Sequence, residues 1–84
     1  MSDQTLLSAV SLVVAGITIS VGTIGPALGE GRAVAAALDA IARQPEAAST
    51  ISRTLFVGVA MVESTAIYCL VITLIVLFAN PLLP

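Results

Sequence analysis

The sequence has little charge and almost no aromatic surface. Of its 84 residues 10% are charged and 4% aromatic, against 58% hydrophobic, and it has no His and no Trp. A soluble domain needs about a quarter of its residues charged to stay dispersed, so this chain lacks the means to remain in water. It is also too short to bury that much apolar surface in a core of its own, which leaves lipid to cover the remainder. A lone cysteine, Cys69, excludes an internal disulfide and a cysteine-based metal site, and reads as a small packing residue. The net charge of -2, with no basic run, argues against nucleic acid as a partner. With no nucleophile–base pair and no nucleotide motif, the chain is expected to be neither an enzyme by itself nor the holder of a cofactor.

The few charges that exist divide the chain. None lies between Gln4 and Gly29, and between Thr54 and Pro84 there is only Glu63. A bilayer core about 30 Å thick is crossed by roughly 20 apolar residues in a helix, a length that Leu6 to Leu28 and Leu55 to Phe78 both reach. The N-terminal flank carries Asp3 and no basic residue, unlike a secretory signal. The expected fold is therefore an all-α membrane protein, a single two-helix transmembrane hairpin over residues 1–84. Its first helix covers about 4–43, its polar loop about 43–46 and its second helix about 47–79. Pro45 ends the first helix near Arg43 or Gln44 and is tolerated in the first turn of the next. All three basic residues, Arg32, Arg43 and Arg53, lie on the loop side. The positive-inside rule then places the loop in the cytoplasm and both termini outside.

The first helix is dense in small residues. Gly25 and Gly29 are four apart, as are Ala27, Gly31 and Ala35, so small side chains share faces and form grooves where other backbones can approach closely. One partner helix fills one side only; identical neighbours in a ring would fill the others. Pro26 is expected to add a mild kink. The second helix is bulkier and has no polar face, which suits a position against lipid.

Glu63 stands alone in its apolar span, where an ionisable group costs several kcal/mol and usually marks an ion path. Glu30 lies 15 residues before Pro45 and Glu63 18 residues after it. At about 1.5 Å per residue the two carboxyls sit within about one turn of the same depth. They cannot both stay ionised there, so the pair keeps at least one proton. Ser64, Thr65 and Tyr68 follow Glu63 at helical spacing. Their hydroxyls, with a backbone carbonyl such as that of Val62, can lock a carboxyl in one rotamer or surround a hard cation.

These residues resemble a known family: the ring proteolipid, or c subunit, of F-type ATP synthases and related N-type rotary ATPases. Gly25-Pro26-Ala27-Leu28-Gly29-Glu30-Gly31 is similar to its glycine-rich inner-helix motif, with Ala27 where Gly is usual. Ala42-Arg43-Gln44-Pro45-Glu46-Ala47 is similar to its polar loop, Glu63 to its essential carboxylate, and Leu77-Phe78-Ala79-Asn80-Pro81 to its C-terminal end. The resemblance implies a homo-oligomeric rotor ring of identical copies in a bacterial inner (plasma) membrane. It implies a stator whose a subunit loads and unloads Glu63, and central-stalk gamma and epsilon subunits that meet Arg43, Gln44 and Pro45. It also implies H⁺ as the transported ion. Glu63-Ser64-Thr65 with Tyr68 and Glu30 is similar, too, to the family's sodium-coordinating set, so Na⁺ at Glu63 and Glu30 is the alternative. A pore-forming or purely structural hairpin is the reading furthest from this one.

Overall fold

The computed structural model describes residues 2–83. Helix α1 spans Asp3–Gly22, α2 spans Ile24–Arg43 and α3 spans Ala48–Phe78, with a short 3₁₀ turn at Pro45–Ala47 before α3. Each boundary has a local cause. Ser2 caps α1: its hydroxyl oxygen accepts from the Thr5 amide at 3.1 Å, and Asp3 in the first turn suits the positive end of the helix dipole. The α1–α2 junction at Thr23 follows from Pro26. A proline has no N–H to give the carbonyl four residues back, here that of Gly22, and its ring crowds that carbonyl. The ladder resumes at once, with the Ala27 amide donating to the Thr23 carbonyl at 3.0 Å. Thr23 also donates its hydroxyl to the Ile19 carbonyl at 2.7 Å, supporting the last turn before the break.

At the other end of α2, Gln44 takes φ -133° and ψ 73°, outside the helical region that the following Pro45 disfavours. The Ala47 amide bonds back to the Gln44 carbonyl at 2.9 Å, so the reversal takes only a few residues. Helix α3 ends before Asn80-Pro81, where the Asn80 side-chain oxygen accepts from the Leu82 amide at 2.9 Å.

The two arms run antiparallel in a rod 64 Å long, 16 Å wide and 9 Å thick. Two observations fix their register. Near the termini the Asn80 amide donates to the Ser11 hydroxyl at 3.0 Å. Eleven residues further along each arm, at 22 and 69, a Cβ on Gly22 would come within 2.6 Å of the Cys69 sulfur. The offset is the same at both places, so the arms do not slip against each other between them. Cys69 thus packs against a glycine that leaves it room.

Very little is covered by this packing. Ala15, Ala37 and Thr73 are the buried residues of the described chain, while Phe56 remains 78% and Phe78 82% exposed. A hairpin with no core of its own depends on lipid and on other protein to cover it. The glycine-rich stretch shows where: a Cβ at Gly25, Gly29 or Gly31 would meet nothing within 4 Å. The space beside these glycines, on more than one side of α2, is open to another chain.

The Gly22–Cys69 contact makes a quantitative expectation. Gly22→Ala should destabilise the detergent-solubilised protein by about 1–3 kcal/mol, the usual cost of overpacking. Adding Cys69→Ala, which removes the sulfur, should recover most of that loss. Thermal unfolding of the two single variants and the double variant tests this; strictly additive effects would show that the two residues do not touch.

Candidate ion site

The site is built from the two arms at mid-depth. Extending the register from Gly22 and Cys69 puts Glu30 across from Met61, two residues short of Glu63 along α3. Helical side chains lean toward their own N-terminus. Because the arms are antiparallel, Glu30 leans away from the loop and Glu63 toward it, and the two leans close the gap. The carboxyl groups lie within hydrogen-bonding reach of each other.

The pair is not self-sufficient. Oε1 of Glu30 is buried and has no hydrogen-bond partner among the described residues. A buried carboxyl oxygen without a donor costs about 1–3 kcal/mol or more, so such an oxygen calls for a donor or a cation that the single hairpin does not provide. Glu63 itself is exposed on the flank of α3.

The hydroxyls behind Glu63 are oriented by their own helix. Ser64 donates to the Ala60 carbonyl at 3.1 Å, and Thr65 donates to the Val62 carbonyl at 2.6 Å. With their protons committed, the oxygens keep lone pairs that can accept a hydrogen bond from a protonated carboxyl or face a cation. Tyr68, one turn beyond Ser64, is 66% exposed. The structure therefore brings Glu30 and Glu63 together and leaves Tyr68 facing outward from the single hairpin.

Two grooves flank the α2–α3 seam. One, of about 370 Å³, is lined by Glu30, Ala33, Ala37, Thr54, Gly58 and Val62. The other, of about 390 Å³, is lined by Val34, Ser52, Phe56, Ala60 and Glu63. Leu55 and Val59 border both grooves and mark the centre of the seam. Glu30 and Glu63 thus lie at the seam but open to opposite flanks of it. Sequence spacing gave no sign of this division, because depth can be counted along a helix but the facing of a seam depends on its partner.

The other candidate residues lie apart from the carboxyls. Gly25, Ala27, Gly29 and Gly31 belong to the open stretch of α2, with space around each of the three glycines. Arg43, Gln44 and Pro45 form the exposed apex of the hairpin, where Arg43 pairs with Asp39 at 2.9 Å. An exposed i,i+4 pair of this kind contributes only a few tenths of a kcal/mol and serves mainly to hold the arginine's direction.

Both arms are long and apolar enough to cross a membrane, as Asp3–Arg43 and Pro45–Phe78. Comparison with known proteins accounts for the combination. The family described as the ATP synthase C subunit matches residues 13–76. The chain is 69% identical over 71 residues to the second ATP synthase c subunit of Cereibacter sphaeroides, covering 84% of this chain and 86% of that one. It is 54% identical over 67 residues to the first ATP synthase c subunit of Pelobacter propionicus, covering 80% and 74%. It is 49% identical over 78 residues to the ATP synthase c subunit of Prochlorococcus marinus, covering 93% and 96%. An all-helical membrane hairpin with paired mid-depth carboxyls and a match over three quarters of its length, this chain belongs to the ATP synthase C-subunit family, whose members are ring-forming hairpins.

Proposed function

We propose that this chain is the ion-carrying component of the rotor ring of a rotary ATP synthase, with Glu63 as the carrier of H⁺. The observation that supports it most is the solitary carboxyl of α3, exposed on its flank and matched in depth by a second carboxyl across the seam. An ionised Glu63 facing lipid would cost several kcal/mol, so only a loaded, neutral site rotates through the lipid-facing arc. At the stator's a subunit the site would meet water-filled access and exchange its ion. Ion flow down a gradient then biases rotation in one direction, and the ring passes the torque to the central-stalk gamma and epsilon subunits through Arg43, Gln44 and Pro45 at the apex. Glu30 keeps its own proton, so that one exchangeable charge neutralises the pair. The chain works in a bacterial inner membrane with its loop in the cytoplasm.

A second reading has a specific support. The committed hydroxyls of Ser64 and Thr65 leave oxygen lone pairs beside Glu63, a donor set that suits Na⁺ as well as a locked carboxyl. Na⁺ would then be the exchangeable charge and the rotary mechanism would be unchanged.

Carbodiimide labelling separates these readings. Dicyclohexylcarbodiimide attacks protonated carboxyls in apolar settings, so it should modify Glu63 and block coupled ATPase activity. With H⁺ as the ion, the labelling rate should depend on pH alone. Strong protection by millimolar Na⁺ would overturn the proton assignment and keep the carrier assignment, whereas label at another residue with an active Glu63→Gln variant would sink both.

The topology has its own test. In a Cys69→Ala background, Gln44→Cys should react with membrane-impermeant thiol reagents in inside-out vesicles and stay unreactive in intact cells. Reaction in intact cells would invert the orientation.

A further inference from the structure

Phe56 is a bulky knob with nothing of its own hairpin to cover it. It is 78% exposed and borders the groove that opens on the Glu63 flank. Leu55 and Val59 mark the centre of the α2–α3 seam. At about 100° per residue, Phe56 lies to one side of Leu55 and Thr54 to the other. The knob therefore stands on one flank of the hairpin, while the groove holding Glu30 and Thr54 opens on the opposite one.

The Glu30 groove contains a hole of matching form. Ile51, Thr54, Leu55 and Gly58 line it at spacing i, i+3, i+4 and i+7, the four corners that surround a knob from a neighbouring helix. Ala33 and Ala37 of α2 make the opposite wall and are small enough to leave room. A Cβ at Gly58 would meet nothing within 4 Å, so the hole is open at that corner. Its centre falls at the depth of Thr54 and Leu55. A helical side chain leans toward the N-terminus of its helix, which brings the ring of Phe56 to that same depth. Glu30, whose Oε1 is buried without a partner, stands at the inner end of the groove, about 10 Å further from the loop.

We propose that in the ring Phe56 of each copy inserts into this hole on the next copy and plugs the loop-side approach to Glu30. Depth and facing select the occupant. Identical hairpins around an axis normal to the membrane hold a given residue at one depth in every copy. Their contacts are head to tail, so one flank of each copy meets the opposite flank of the next. The knob and the hole meet both conditions, being level with each other and on opposite flanks. Cover by lipid would require neither. With the phenyl ring seated, water at the loop has no path along the seam to the carboxyls. The contact itself rests only on the family's ring; the value of the plug rests on the carboxyls being the ion site.

Two measurements on the assembled ring, in vesicles that present the loop outward and in a Cys69→Ala background, test the proposal. Neither depends on which ion is carried, so a failure of the ion assignment leaves both readable. With Phe56→Cys and Gly58→Cys in one chain, a short bifunctional thiol reagent should link copies into a ladder from dimer to full ring. Positions two apart on one helix point about 160° away from each other, so the reagent cannot spend itself within a chain. Either cysteine alone should give no ladder. Dimers from Phe56→Cys alone, which would mean that like flanks meet, or no ladder from the pair, would overturn the proposal. The second measurement decides if the paired variant does not assemble. Ala33→Cys, inside the groove, should resist a membrane-impermeant thiol reagent while Phe56 is present and become reactive when Phe56→Ala is added, with Phe56→Leu still protecting it. Equal reactivity with and without the phenyl ring would show that Phe56 plugs nothing.

Discussion

An ionisable side chain in the low-dielectric part of a membrane must be neutral or partnered, and the rest of this molecule is arranged around that constraint. Glu63 is the sole charge between Thr54 and Phe78 of α3, so its charge is the dominant local energy term. Placing a second carboxyl against it sharpens the constraint, because two negative charges in contact with little solvent are far costlier than one. In the proposed function a group that is stable only when loaded is a gate: it would admit motion through lipid with an ion bound and forbid it without one. No moving lid is required, since the solvent itself supplies the barrier.

The packing of the hairpin follows from its incompleteness. With Ala15, Ala37 and Thr73 as its buried residues, the single chain gains little from folding on itself. The seam is held instead by fine fits, a glycine under a cysteine sulfur and an asparagine reaching a serine across the open end. These keep the arms in register, and register keeps the carboxyls in contact; a slip of one residue rotates each side chain by about 100° on its helix. The open space beside the glycines of α2 and the unpartnered Oε1 of Glu30 describe the same deficit in two ways. The hairpin presents surfaces that only further copies, lipid or an ion can complete.

Much of this was legible in the sequence because it rests on first-order quantities. Long stretches without charge give the two spans, and Pro45 with its polar neighbours gives the reversal. The meeting of Glu30 and Glu63 could be anticipated by counting from Pro45, since helical rise is fixed. What the sequence left hidden depends on how one helix faces another. Nothing in the spacing of Gly22 or Cys69 says that they touch, and nothing places Glu30 and Glu63 on opposite flanks of the seam. Pro26 signals a disturbance, but the structure puts the junction three residues upstream at Thr23. The reason is that proline deprives the carbonyl four residues back and not its own turn.

The central claim is that every site must be neutralised to pass through lipid. It is tested most directly by a ring in which one member of a covalently fused set carries Glu63→Gln, reconstituted with the rest of the complex in vesicles. A neutral Gln can enter the lipid arc but cannot bind and release an ion at the stator. One such member should be enough to abolish ion-driven ATP synthesis by the whole complex, since each turn brings the empty position to the stator. Synthesis reduced only in proportion to the fraction of altered members would contradict it, because the sites would then work independently and not as one rotor.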